Sequence, residues 1–380
     1  MRIKYIASYD SLDNHEENRV NCLASYNKIN YFLREISDVC ESVEIISTSQ
    51  TLNRHFYKGK RVKIDKNIDL TLFATLPRGG YLLKAFNVFF MRHQIKKYLR
   101  KSLLKDDIII IYHSPGNIWL LKYLLRSKFK VIEEVEEIYG DIYGKKRLSS
   151  KERKELPRAS SFIFPTFMLS KIVNKENKKE LIIHGAYINN KKDAVVKLSK
   201  VDGKVHVCYT GILNPKKGCE SFIKSGTFLS QSFVLHILGF GNKRELDNMD
   251  KIIREINKKS CATVVFDGVR TGDSYIEYLN SMDIGICPLN SKDGFVLTQF
   301  PSKVISYLSC GIEVLCSDVL SVKTSKVAEW VHFYNGNEPE SIAEAIKTVD
   351  LNNKKNNEVL MEMLGLGFKK ELKKFLSEDC

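Results

Sequence analysis

The sequence predicts an α/β protein of two doubly wound, Rossmann-like domains facing each other across a cleft. Strand-like apolar runs alternate with helical patterns along the chain, which argues for parallel sheets covered by helices on both faces. The alternation pauses in the lysine-rich stretch Asn189 to Lys204 and then starts again. At 380 residues and 43% apolar content the chain fills two cores of ordinary size more readily than one. The expected division is residues 1–195, residues 203–345, and a helical tail over residues 346–380.

In the first half the pattern reads strand Ile3 to Ser8, helix Leu23 to Ser37, strand Val43 to Ser47, a long helix from Tyr81 to Leu104, and strand Ile108 to Tyr112. A helix near Ile118 to Arg126 and strands at Lys130 to Val135 and Ser161 to Pro165 complete it. The second half has strands at Val205 to Thr210, Phe233 to Gly239, Thr263 to Phe266, Ile284 to Pro288 and Glu313 to Ser317. In the tail Leu360, Met363, Leu364, Phe368, Leu372 and Phe375 recur at helical spacing.

Lys plus Arg number 60 against 45 Asp plus Glu, a net +15 that favours an anionic partner: nucleic acid, acidic lipid or a phosphorylated substrate. The cysteines are scattered without a Cys-x-x-Cys pair, which fits a reducing compartment and no zinc site. The N-terminus turns polar after one short strand, unlike a signal peptide, and no apolar run approaches the ~20 residues of a membrane span. The expected location is cytoplasmic, free or peripheral on the inner face of the plasma membrane. Arg78 to Lys105 holds no acidic residue and places Arg92, Lys96 and Arg100 on one helical row and Lys97, Lys101 and Lys105 on the next, after Phe86, Phe89 and Phe90. Such a helix either rests on anionic lipid or is a solvated basic face. No nucleic-acid module accompanies it, so no nucleic-acid partner is expected.

Phe300 to Asp318 reads as a tight turn, a short helix and a buried strand. Pro301 suits a first helical turn, Ser302 or Phe300 can cap it, and Gly311 ends the helix. Backbone N–H groups there, with the Ser302 hydroxyl and the Lys303 ammonium, suit a phosphate, although the local chemistry fits an ordinary strand-to-helix turn equally well. Val207 to Gly218 is a strand, a loop containing Gly211, and a helix start with Lys217 beside Gly218; Gly239 and Gly241 follow another strand. In the first half His113 ends a buried strand, a place where histidines are either structural or functional. Glu133 to Asp141 is rich in carboxylates, which accept a hydroxyl proton or merely face water; Glu137 and Asp141 are the acceptor-side candidates. The polar loop Ser8 to Asn21 adds Asn18 and Arg19.

Met282 to Leu289, an aspartate, an apolar strand and Pro-Leu, followed by the Phe-Pro-Ser-Lys turn and a helix closed by a small residue and Gly, resembles the donor-binding segment of GT-B-fold glycosyltransferases of the family-4 type. The resemblance is marked from Val207 to Asp318 and faint before Tyr112. It implies a GT-B fold and a retaining, metal-independent transferase with no cofactor. Such an enzyme moves a sugar from a nucleotide-diphosphate-sugar to an acceptor, and the basic helix beside its site leads to the expectation of a glycan or lipid-linked acceptor, as in bacterial surface polysaccharide synthesis. By this resemblance Gly211, Lys217, Gly239, Gly241, Phe300, Pro301, Ser302, Lys303 and Ser306 hold the donor. His113, in a His-x-Pro turn, is the catalytic residue facing the sugar.

The chain also departs from the family pattern. Ile212 replaces an arginine that often follows the first glycine, the loop after the first strand lacks a glycine pair, and Thr298 and Ser306 stand where the family pairs two glutamates. The second of those glutamates hydrogen-bonds the ribose, and a hydroxyl there is a weaker, uncharged acceptor. The alternative reading is therefore a catalytically impaired binding or partner subunit.

Overall fold

The computed structural model describes residues 1–380 except 12, 13, 15, 21, 22, 214–217, 290–295, 297 and 378–380. Its strands are β1 (Arg2–Ala7), β2 (Ser42–Ser47), β3 (Lys60–Asp65), β4 (Ile68–Leu72), β5 (Ile108–Tyr112), β6 (Val131–Glu134) and β7 (Ser161–Phe164). They continue with β8 (Glu180–Ile182), β9 (Val205–Ile212), β10 (Phe233–Phe240), β11 (Thr263–Gly268), β12 (Ile284–Cys287), β13 (Glu313–Ser317) and β14 (Val331–Tyr334). The chain divides into two compact units. The first comprises Met1–Pro165, Ser170–Ala186 and Phe368–Cys380, and the second Thr166–Leu169 and Tyr187–Gly367. Apart from Phe368–Cys380, the last stretch of the first unit ends at Ala186.

The first unit holds an eight-stranded sheet in the order β3-β4-β2-β1-β5-β6-β7-β8. Its strands are parallel except for the β3–β4 hairpin. β1 lies centrally, with Ile3 opposite Val43 on one side and Ile108 on the other. The Ile108–Ile111 run is buried, as a strand covered on both faces requires. Sequence periodicity missed the hairpin because β3 is an edge strand whose Lys60, Arg61 and Lys63 face outward or half outward. Charges on an edge deter pairing with other chains and dilute the strand signal.

The second unit holds a six-stranded parallel sheet in the order β11-β10-β9-β12-β13-β14. β14 was also missed, being four residues with only its ends buried. In the helix Asn357–Ser377, Leu360, Phe368, Leu372 and Phe375 are buried as their spacing predicts. Met363 is 52% exposed instead, and Met361 fills the core position. Within the first unit Phe368 lies 5.7 Å from the ring of Tyr31 and 6.2 Å from that of Phe32.

Gly285 in β12 faces Tyr307 of the helix Ser302–Ser309, and a Cβ there would stand 2.4 Å from the phenol ring carbons. The Tyr307 ring is fully buried, so it has little room to give way. Gly285→Ala is expected to destabilise the second unit by about 2–3 kcal/mol. Calorimetry that found its melting transition unmoved would refute this packing.

Candidate functional site

In the second sheet β10 flanks β9 on one side and β12 on the other, so the winding reverses between β9 and β12. Ligands of open parallel sheets bind outside the carboxyl ends of such a pair. The segments that follow those strand ends in the chain are 213–218 and 288–301, the two singled out from sequence. Lys217 lies outside the described residues.

Glycines draw these ends together. Gly211 has φ +131°, and a Cβ on it would meet Lys303 Cε at 2.8 Å and Nζ at 3.0 Å. A Cβ on Gly239 would stand 1.9 Å from the carbonyl oxygen of Gly211, and one on Gly218 would stand 1.6 Å from that of Pro288. Gly241 serves a different purpose. It abuts Glu245 and Leu213 beside Asn242, whose side chain and Glu245 form a reciprocal capping box for the helix Lys243–Lys259. Its smallness admits the cap.

The helix Ser302–Ser309 starts after Pro301, which is its N-cap at φ −71° and ψ 101° and supplies no side-chain cap. Neither Phe300 nor Ser302 takes that role. The Lys303 ammonium lies 3.7 Å from the centre of the Tyr209 ring, a cation–π contact beside Gly211. Ser306 Oγ donates to the Ser302 carbonyl at 3.2 Å. Thr298 is nearly buried, and its carbonyl accepts from Thr166 Oγ1 at 2.9 Å.

Three hydroxyls unnoticed in the sequence gather behind this helix. Tyr307 OH accepts the Thr210 N–H at 3.1 Å and lies 3.1 Å from Thr210 Oγ1, which is itself 3.2 Å from Tyr275 OH. Burial raises the phenol pKa of Tyr275 and Tyr307, so both remain neutral. The one sequence signal for this cluster was Gly285, since glycine inside an apolar strand often marks a close approach.

The first unit gathers its polar groups at the carboxyl ends of β5 and β6. His113 follows β5, but its ring is wholly enclosed: Nε2 is 2.9 Å from Glu152 Oε1, and Nδ1 is 3.6 Å from Glu133 Oε1. The expectation set this ring against substrate, whereas here two carboxylates and the Tyr139 ring, 5.6 Å away, surround it. Burial lowers the imidazole pKa, but Glu133 and Glu152 more than offset it, so the net shift is upward. Glu133 is itself raised by burial, with His113 opposing.

Glu133 and Glu134, expected at an open strand end, are fully buried. The acceptor-side candidates differ in setting. Asp141 is tied to Arg153 at 2.6 Å, and Glu137 is half-buried. Asn18, at φ +43°, is 3.3 Å from Asn53. Arg19 is buried, donating to Glu17 at 2.6 Å and to the carbonyls of Ser49 and Phe73 at 3.2 and 2.9 Å, so its guanidinium braces the loop.

The helix Tyr81–Ser102 buries Asn87, Met91, Ile95 and Leu99 and leaves Tyr81, Leu82, Phe86 and Phe89 exposed by 86%, 84%, 56% and 67%. Arg92 and Lys96 lie over Trp119, and Lys97, Arg100 and Lys101 are exposed. No helix among the described residues is long and apolar enough to cross a membrane.

Glu134 takes a hydrogen bond from Tyr5 OH at 2.7 Å, with Lys28 4.0 Å away and paired to Glu136. Burial pushes its pKa from 4.5 to about 7, against the pull of Lys28. A carboxyl raised in the folded state favours folding while protonated, and that contribution is lost as pH climbs from 4.5 through 7. Glu134→Gln keeps the acceptor without the ionisation. Relative to the parent it is expected to gain on the order of 2–3 kcal/mol of stability between pH 4.5 and pH 8. Denaturation curves whose difference stays constant with pH would contradict the buried-acid account.

Residues 204–350 match the model of the family described as Glycosyl transferases group 1. No curated protein matches the chain. Solved structures do. A trehalose-6-phosphate protein from E. coli bound with UDP-2-fluoro glucose superposes at TM-score 0.70 with 11% identity, covering 100% of this chain and 98% of that one. The sucrose-phosphate synthase of Thermosynechococcus elongatus gives 0.65 with 14% identity over 98% and 94%. A trehalose-6-phosphate synthase studied for glycosyl transfer with retention gives 0.65 with 11% identity over 99% and 98%. The two parallel-sheet units are those of the GT-B fold, and the second carries, over residues 204–350, the segment that matches the family of glycosyl transferases.

Proposed function

We propose that the protein transfers a sugar from a nucleotide-diphosphate-sugar held by the second unit to a glycan or lipid-linked acceptor received by the first. The reaction proceeds with retention and without a metal or cofactor, in bacterial surface polysaccharide synthesis. One observation carries this reading: the helix Ser302–Ser309 opens at the β9/β12 switch point with no side-chain cap, and the Lys303 ammonium lies beside Gly211. Helix-start N–H groups and an ammonium stabilise a departing diphosphate by dipole and charge. Lys217, just before Gly218 in the sequence, adds a second cation to this reading. Neighbours of the same fold include one bound with UDP-2-fluoro glucose and one studied for transfer with retention.

Ser306, with the hydroxyls of Tyr275 and Thr210 nearby, replaces a carboxylate as the ribose contact in this reading. Uncharged acceptors hold a diol less tightly, so donor affinity rests more heavily on the diphosphate. His113 serves the first unit from within, as the enclosed ring at the carboxyl end of β5. The helix Tyr81–Ser102, exposing Tyr81, Leu82, Phe86 and Phe89 beside Lys97, Arg100 and Lys101, rests on the anionic inner face of the plasma membrane and brings the enzyme to a lipid-linked acceptor.

A thermal-shift screen of uridine, adenosine, guanosine, cytidine and thymidine diphosphates is expected to find at least one that raises the melting temperature. Lys303→Ala should weaken that binding at least tenfold, about 1.4 kcal/mol. No shift with any of them would sink the proposal, and binding without sugar transfer would favour the impaired-subunit reading. For the membrane part, sedimentation with phosphatidylserine vesicles should retain the parent protein. The joint change of Leu82, Phe86 and Phe89 to Ser with Lys97, Arg100 and Lys101 to Glu should release it; unchanged sedimentation would refute that contact.

A further inference from the structure

Glu152 is fully buried, yet its carboxylate collects hydrogen-bond partners from two other segments. Oε1 lies 2.9 Å from His113 Nε2 and accepts the Tyr139 N–H at 3.1 Å, and Oε2 accepts the Gly140 N–H at 2.7 Å. Tyr139 and Gly140 begin the short helix Tyr139–Ile142, whose N-cap, Ile138, has no side chain able to accept a hydrogen bond. Glu152 therefore supplies the cap from the helix Lys146–Glu155. Gly140 makes the approach feasible, since a Cβ there would stand 2.0 Å from the Ser149 nitrogen.

The proton positions follow from this geometry. A carboxylate that already accepts two backbone N–H groups faces Nε2 as a further acceptor, so Nε2 carries a proton. On the other side of the ring, Nδ1 and both oxygens of Glu133 are buried without a hydrogen-bond partner among the described residues, with Nδ1 3.6 Å from Glu133 Oε1. Two bare acceptors facing each other in an apolar interior repel, so one proton stays between them, on the ring or on the carboxyl. The trio holds the same protons in either description.

We infer that Glu152 is a positioning residue: it locks His113 as the Nε2–H form and joins that ring to the segment carrying Glu137 and Asp141, so that the two stay in register at the acceptor side of the site. The consequence for transfer rests on the function proposed above, whereas the lock itself does not. A glutamine cannot reproduce it, because its amide presents N–H groups to one of the donors the carboxylate satisfies. If the amide nitrogen faces His113, the ring must turn to the Nδ1–H form; if it faces Gly140, that N–H loses its acceptor.

The test is ring-nitrogen NMR on histidine-labelled protein together with amide exchange, with His113 assigned by its loss in His113→Asn. The parent should show a protonated Nε2 and a slowly exchanging Gly140 amide. Glu152→Gln should either invert the His113 tautomer or speed Gly140 exchange at least tenfold, and should lower turnover while leaving nucleoside diphosphate binding within twofold. A second variant, Glu133→Gln, keeps the Nε2–H form, since its amide can donate to Nδ1. A bare Nε2 in the parent overturns the inference whether or not Glu152→Gln folds, as does a Glu152→Gln protein with both tautomer and exchange unchanged. Failure of all nucleoside diphosphates to bind would count against the proposed function alone, since the NMR result is read without them.

Discussion

Side chains that are absent determine how the second unit is built. With no Cβ at Gly211, Gly218, Gly239 and Gly285, the ends of β9, β10 and β12 approach to distances that any other residue would block, the tightest being 1.6 Å from a notional Cβ on Gly218 to the Pro288 carbonyl. Tyr307 can then lie against β12 and reach Thr210 at the end of β9 with its hydroxyl. That bond ties the helix Ser302–Ser309 to the strand ends. The N-terminus of the helix and Lys303 are consequently held by packing, which is the preorganisation the proposed diphosphate site calls for.

The first unit solves a different problem, the burial of acids. Glu133, Glu134 and Glu152 all lie within its interior, where an isolated charge is strongly disfavoured. Each is managed differently. Glu152 is satisfied by backbone N–H groups and an imidazole, Glu134 takes one hydrogen bond from Tyr5 with Lys28 nearby, and Glu133 lies 3.6 Å from His113 Nδ1 with no hydrogen bond among the described residues. The upward pKa shifts of Glu133 and Glu134 express the cost of that burial. Perturbed groups gathered at the carboxyl ends of parallel strands are a common mark of working sites, although ion-pair networks produce the same mark.

Ser306, Thr210 and Tyr275 give this part of the second unit neutral hydroxyls. A neutral hydroxyl accepts a hydrogen bond more weakly than a carboxylate and adds no negative charge. Tyr275 and Thr210 keep hydroxyls near Ser306, and burial holds Tyr275 neutral. In the function proposed above, Lys303 and the uncapped helix start are the groups that meet the anion.

Alternation of strand and helix patterns was sufficient to read two parallel-sheet units from the sequence, because a strand buried on both faces is a continuous apolar run such as Ile108–Ile111. The loops at the switch point were legible for a related reason: Gly211, Gly218, Pro301 and Gly311 announce turns through their own backbone chemistry. The β3 edge strand escaped notice because its residues are largely charged. Glu152 sits in the segment Lys146–Glu155, where nothing local separates it from solvated neighbours such as Lys151 and Arg153. His113 and Arg19 were visible as residues but not in their surroundings. The sequence by itself determined which elements form and where the chain turns, since these follow from spacing and backbone preference. Only the tertiary structure decided which polar side chains are enclosed, because burial and hydrogen-bond partnership arise from segments such as β5, β6 and the helix Lys146–Glu155 meeting in space.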